Sequence, residues 1–127
     1  MDDRANLNGT RVLVVEDEFL IAMEIEAALE AAGAIVVGPA PSLEAACSLA
    51  RNGDIDAAIL DVNLGDEHVF PAAELLDQRG IPYIFHTAYP PKELEGRPVC
   101  VKPVEPVRLI RILCDLRRVA PVAAPRG

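Results

Sequence analysis

A chain of 127 residues with a formal charge of −8 fits one domain able to bury a single core without disulfides or a metal staple, and its acidity excludes the clustered positive surface that a nucleic-acid backbone requires. About half of the residues are apolar, yet there are only three Phe, two Tyr and no Trp, so Ala, Val, Leu and Ile must build the core, which suits helices on a parallel sheet better than an aromatic-rich β-sandwich. Cys47, Cys100 and Cys114 form no Cys-x-x-Cys motif and read as small buried hydrophobes of a reducing compartment; with no signal-peptide core in "MDDRANLNGT" and no apolar run near the ~18 residues of a membrane span, the expected location is the cytoplasm.

The first element is "RVLVV", Arg11 to Val15, a short Val-rich run of the kind buried on both faces of a parallel sheet. It ends in Glu16, Asp17 and Glu18. Ile21, Ile25, Ala28, Leu29 and Ala32 then recur at helical spacing, and Gly33 stops that helix. A second strand, "AIVVG", follows. Pro41 and Ser42 supply a turn and an N-cap for a helix running to about Asn52. The third strand, Ala57 to Leu60, stops at Asp61, and the Asn, Gly and Asp of "DVNLGDEH" describe a loop. Pro71 to Arg79 is a short helix that tolerates proline in its first turn and halts at Gly80.

"YIF" and "VCV" are the fourth and fifth strands. From Val107, the residues Leu109, Ile112, Leu113 and Leu116 form one helical stripe, with Arg108, Arg111, Asp115 and Arg118 outside it and read as a solvated face. The expected organisation is an N-terminal extension over 1–9, one domain over 10–118 and a frayed, proline-rich tail over 119–127. Strands alternating with helices imply an α/β, flavodoxin-like, doubly wound five-stranded parallel sheet, and the simplest order with right-handed crossovers is 2-1-3-4-5.

Ligands of such sheets bind beyond the carboxyl ends of the strands, at the switch between strands 1 and 3. Glu16 and Asp17 follow strand 1, Asp61 follows strand 3, Thr87 follows strand 4 and Lys102 ends strand 5. Taken singly, an Asp at a strand end is usually a turn or helix cap; five polar groups on successive strand ends are a site. Three clustered carboxylates raise one another's pKa unless a cation joins them, and an oxygen-only set with room for water suits Mg²⁺. With an ammonium and a hydroxyl beside them, the groups describe a carboxylate that accepts a phosphoryl group.

The motifs "VLVVEDE", "AAILDVNLGDE", "FHTA" and "VCVKP" resemble the receiver domain of two-component response regulators over roughly Thr10 to Arg118. The resemblance implies that Asp61 is the phosphoacceptor, that Glu16 and Asp17 bind Mg²⁺ with a backbone carbonyl from Asn63, that Thr87 and Lys102 contact the phosphoryl oxygens, and that a cis bond precedes Pro103. It also implies a histidine kinase or a histidine phosphotransfer protein as donor, a downstream protein partner, and no reaction on a metabolite. "IPYIFHTAYP" is similar to the Phe-Ala-Thr-Gly-x-Tyr type motif of the mostly single-domain FAT GUY receivers, often paired with HWE-type kinases. Phe85, Thr87 and Tyr89 match, whereas His86 stands for Ala and Ala88 for Gly. Many receivers switch through an aromatic three residues before the Lys; Val99 occupies that position here, so the expected switch pair is Thr87 and Tyr89.

Two other readings stand beside this one. A receiver fold can serve as an interaction or dimerisation module without phosphorylation, although such a module has no need of the intact set of five. A phosphatase with an Asp nucleophile wants an Asp-x-Asp pair after the first strand, and Asp17 is flanked by Glu16 and Glu18 instead. His86, on a strand facing a helix, reads as a packed, hydrogen-bonded histidine, and His68 as solvent-facing. The segment from Ala88 to Pro98 contains Pro90, Pro91, Gly96 and Pro98, so the fourth helix is expected to be missing or one turn over Lys92 to Glu95, as a mobile output segment ordered by the state of Asp61.

Overall fold

A computed structural model describes residues 7–102 and 105–119 of the chain. The bond before Pro103, positions 1–6 of the expected extension and positions 120–127 of the expected tail lie outside the described residues. In chain order the elements are β1 (Arg11–Val15), α1 (Phe19–Ala31), β2 (Ile35–Ala40), α2 (Leu43–Asn52), β3 (Ala57–Leu60), β4 (Asn63–Leu64), β5 (Glu67–His68), α3 (Phe70–Gln78), β6 (Tyr83–Thr87), a 3-10 turn (Lys92–Leu94), β7 (Val99–Val101) and α4 (Pro106–Val119). The sheet runs β2-β1-β3-β6-β7 with every neighbour parallel. This is the expected 2-1-3-4-5 order, since β4 and β5 form a separate two-stranded ribbon.

Alternate residues of β1 supply the two faces of the sheet. Leu13 and Val15 join the core beneath α2 and α3, which includes Ala46, Ala50, Ala72, Leu76 and Phe85. Val12 and Val14 join the core beneath α1 and α4, with Ile25, Leu29, Leu109 and Leu113. Ser42 caps α2 as its sequence position requires, its hydroxyl accepting from the Ala45 N–H at 3.2 Å. The buried stripe of α4 is centred differently from the sequence expectation. Ile110 and Cys114 are buried beside Leu109 and Leu113, while Ile112 and Leu116 are only partly covered; docking against both α1 and the sheet widens the face beyond a single stripe. No helix among the described residues is long and apolar enough to cross a membrane.

"DVNLGDEH" is not a plain loop. Asn63 pairs with His68 and Leu64 with Glu67 across a two-residue turn of Gly65 and Asp66. Gly65 sits at φ 65, the left-handed geometry that tight hairpin turns demand. Buried Leu64 and Val69 tie the ribbon to the core. Gly33, at φ +90, ends α1 where an added Cβ would fall 1.9 Å from Asn8 Oδ1. Gly33→Ala is therefore expected to destabilise the domain by about 1–2 kcal/mol, read as a lower urea midpoint at unchanged m.

The crossover from β6 to β7 has no full helix, as expected. Its one turn is held by Leu94 N–H to Pro91 O, Glu95 N–H to Lys92 O and Arg97 N–H to Leu94 O, at 3.0, 3.1 and 2.9 Å. Leu94 drops into the α2–α3 core, so the crossover lies on that side of the sheet.

Candidate functional site

Backbone bonds at the carboxyl edge of the sheet gather the polar groups. The Asp61 N–H donates to Val15 O at 2.9 Å, placing the end of β3 beside the end of β1. The Lys102 N–H donates to Thr87 O at 2.8 Å, holding the lysine next to the last residue of β6. From there Lys102 Nζ reaches Glu16 Oε1 at 2.9 Å, Asp61 Oδ2 at 3.3 Å and Glu18 Oε1 at 3.7 Å. Glu16 and Asp61 are 3 % and 5 % exposed, so this cation faces two carboxylates with little water between them.

The short ribbon adds donors. The Asn63 N–H donates to Asp61 Oδ1 at 3.3 Å and the Gly65 N–H to Asp17 Oδ2 at 3.1 Å. The contact that Asn63 makes with Asp61 is through its N–H and not through the carbonyl named for Mg²⁺, and no pattern in the sequence points to Gly65 as the group that orients Asp17. Glu18 was likewise not anticipated at the site. It joins Glu16, Asp17 and Asp61 in a set whose ligand oxygens all lie within 4.8 Å of one another, and the signal available was the third acid of "EDE".

The electrostatics of this set favour a cation. Burial pushes the Glu16 carboxyl up to about 8, the hydrogen-bonded Asp61 carboxylate adds to the rise, and Lys102 only partly offsets it. Burial draws the Lys102 ammonium down, and the Glu16 and Asp61 carboxylates more than reverse that, leaving it above the ordinary lysine value. One lysine is insufficient for so many carboxylates. A hard divalent cation matches the all-oxygen donor set and would let Glu16 ionise.

Thr87 is 1 % exposed and its Oγ1 is buried without a hydrogen-bond partner among the described residues. An orphaned buried hydroxyl costs about 1–3 kcal/mol, so this donor is available to an added acceptor. His86 departs from expectation. It is packed, but neither ring nitrogen has a hydrogen-bond partner among the described residues; burial, then the nearby Lys102 charge, lowers its pKa to about 4, so the ring stays neutral at physiological pH. Tyr89 is 84 % exposed. His68 is exposed on the ribbon and packs against Phe70, with ring centroids 5.9 Å apart.

A protein-family model described as response regulator receiver domain matches residues 12–112. The phyllosphere-induced regulator PhyR of Methylorubrum extorquens is 35% identical over 113 residues, covering 83% of this chain and 42% of that protein. The crystal structure of the response regulator PhyR from Brucella abortus superimposes with a TM-score of 0.80 at 30% identity, over 91% of this chain and 51% of that one. The chain thus spans about half the length of these relatives, or less. The receiver domain of a sensor histidine kinase from Pseudomonas aeruginosa, crystallised with a magnesium ion coordinated in its active-site cleft, has the same fold at a TM-score of 0.74 and 24% identity, over 87% of this chain and 98% of that one.

Proposed function

The chain belongs to the response regulator receiver domain family, and from that premise we propose that it accepts a phosphoryl group on Asp61 from a phosphohistidine of a signalling partner. The observation that carries this reading is the pairing of a buried Asp61, 3.3 Å from Lys102 Nζ, with the Thr87 hydroxyl that has no partner among the described residues at the same sheet edge. An Asp61 carboxylate oxygen attacks phosphorus as the P–N bond of the donor breaks, and the imidazole leaves with the electron pair of that bond and takes a proton. Lys102 compensates the charge that gathers on the transferred oxygens, and Thr87 donates its hydroxyl to one of them. Water later cleaves the acyl phosphate and returns Asp61 to its carboxylate. Mg²⁺ held by Glu16, Asp17 and Asp61, with the backbone carbonyl of Asn63, would supply further positive charge to offset that of the same oxygens.

The donor is a protein in this proposal. Phe19 and Leu20 are 74 % and 73 % exposed at the start of α1, directly after the acidic triplet, with Met23 exposed one turn on; this apolar patch at the mouth of the site suits a docked donor. Leu20→Glu is expected to slow transfer from a cognate kinase at least tenfold while leaving transfer from acetyl phosphate within twofold, as measured by labelling rates. The motif from Ile81 to Pro90 supports the FAT GUY subclass with a HWE-type kinase as donor, in the cytoplasm. PhyR from Bartonella quintana is an anti-anti-sigma factor; output through a protein partner, by a change in segment 87–98 involving Tyr89, is the corresponding proposal here.

The direct test is chemical. After reaction with acetyl phosphate and Mg²⁺, borohydride trapping and mass spectrometry are expected to find the modification at Asp61 alone. Modification at Asp17 or either histidine, or none at all, would overturn the assignment.

A further inference from the structure

Arg97 stands in for a missing helix. Its guanidinium lies over the Phe85 ring at 4.9 Å and the Tyr83 ring at 5.7 Å, it hydrogen-bonds the Tyr83 hydroxyl, and it reaches Asp77 Oδ2 of α3 at 3.9 Å. The rings beneath it form a chain, Tyr83 edge-on to Phe85 at 5.3 Å and Phe85 edge-on to Phe70 at 5.9 Å. In a βαβ unit a crossover helix covers such a floor. Here the crossover provides one 3-10 turn, and beside it a cleft of about 310 Å³ opens between α3 and the turn, lined by Phe70, Ala73, Glu74, Asp77, Glu93 and Arg97.

We propose that this cleft is a docking groove for an amphipathic, basic helix of a partner protein, lying between α3 and the single turn that the crossover provides. Four features select that occupant. The floor at Phe70 and Ala73 is apolar, and the volume, at the small end of the ~300–1,000 Å³ range of ligand clefts, admits side-chain anchors rather than an extended cofactor. Glu74 and Glu93 are exposed on opposite walls, and Arg97 is already engaged by Asp77 and the rings, so the rim is left net acidic. The chain as a whole, at −8, favours encounter with a cationic partner. A helix laid along α3 presents apolar anchors at i and i+3 or i+4 to the floor and Lys or Arg to the two glutamates.

This surface shares no residue with the carboxylate cluster and does not depend on the chemistry proposed for Asp61, so it is tested on the unphosphorylated protein. The probes are a fluorescein-labelled sixteen-residue Leu/Lys helix with one apolar stripe, a scrambled peptide of the same composition lacking the stripe, and the stripe with Glu in place of Lys. The striped Leu/Lys peptide is expected to bind at least tenfold tighter than either control by anisotropy, with amide shifts concentrated at Ala72–Asp77 and Glu93–Arg97. The surface double variant Glu74→Lys, Glu93→Lys is expected to lose at least tenfold in affinity, and Glu24→Lys, Glu30→Lys on α1 less than twofold. Equal binding of the scrambled peptide, equal losses in the two double variants, or shifts confined to α1 would overturn the proposal. Amide spectra of both double variants matching the parent away from the substituted sites keep misfolding separate from lost contacts.

Discussion

Asp61→Asn is expected to abolish phosphoryl acceptance, lowering the labelling rate by at least ~10³-fold, since the amide is isosteric but offers no anionic nucleophile. The loss should be chemical rather than structural. The substituted side chain keeps an oxygen for the Asn63 N–H, now at 3.3 Å from Asp61 Oδ1, and the amide nitrogen fits the same volume. Removing a negative charge beside Glu16 also relieves one of the interactions that raise the Glu16 carboxyl, so the variant should fold at least as well. Lys102→Met provides the contrast. It leaves the nucleophile but removes the cation that lies within 4 Å of Glu16, Glu18 and Asp61, and the expected loss is about 10²–10³-fold, the usual cost of deleting one preorganised electrostatic partner. Rapid-quench labelling with acetyl phosphate measures both. Labelling of the Asp61→Asn protein at the parent rate would require a different acceptor.

What was legible in the sequence follows from what local chemistry encodes. Short apolar runs, Ser42 and Gly33 report nearest-neighbour physics, and the structure shows β1, β3, β7, the start of α2 and the end of α1 where those signals put them. The site was legible because a parallel sheet sends every strand end to one edge, so Glu16, Asp61, Thr87 and Lys102 meet without any contact having to be known. Interactions set by tertiary approach were not legible. Gly65 orients Asp17 from 48 residues away, and the pairing of Asn63 with His68 is too short to produce an alternating pattern. The strand position of His86 foretells its burial but not its partners, and neither ring nitrogen has one among the described residues. Tyr89 matches a motif, yet its side chain stands in solvent, a placement the motif does not specify.

The crossover shows the same division. Its prolines and glycine ruled out a long helix, and the chain makes one 3-10 turn. What replaces the helix, the Arg97 side chain over two rings, depends on β6 and α3 being brought together, and no spacing in the sequence foretells it.

The second large effect is a stability that depends on both pH and Mg²⁺. Glu16, raised from 4.5 to about 8, retains in the folded state a proton that the unfolded chain releases. Its contribution is therefore complete below pH 4.5 and is lost as pH rises towards 8. His86, lowered from 6.5 to about 4, acts in the opposite sense: the unfolded chain binds the extra proton, so its contribution strengthens as pH rises from 4 to 6.5. The two oppose each other up to pH 6.5, and Glu16 alone acts above it, because Lys102 is raised from a value of 10.5 and stays protonated throughout. With EDTA present, unfolding free energy is expected to fall between pH 6.5 and 8 by at most about 2 kcal/mol, one proton over that interval. A cation binding the ionised cluster competes with the proton. At a fixed Mg²⁺ concentration stability should rise, by about 2.7 kcal/mol where that concentration is a hundred times the Kd, and the gain should be larger at pH 8 than at pH 6.5, flattening the slope seen in EDTA. Glu16→Gln should flatten the EDTA profile above pH 6.5 and remove most of the Mg²⁺ gain. Urea titrations at the two pH values, with and without the ion, decide the matter: a Mg²⁺ gain independent of pH would mean that the cation does not take the place of the Glu16 proton.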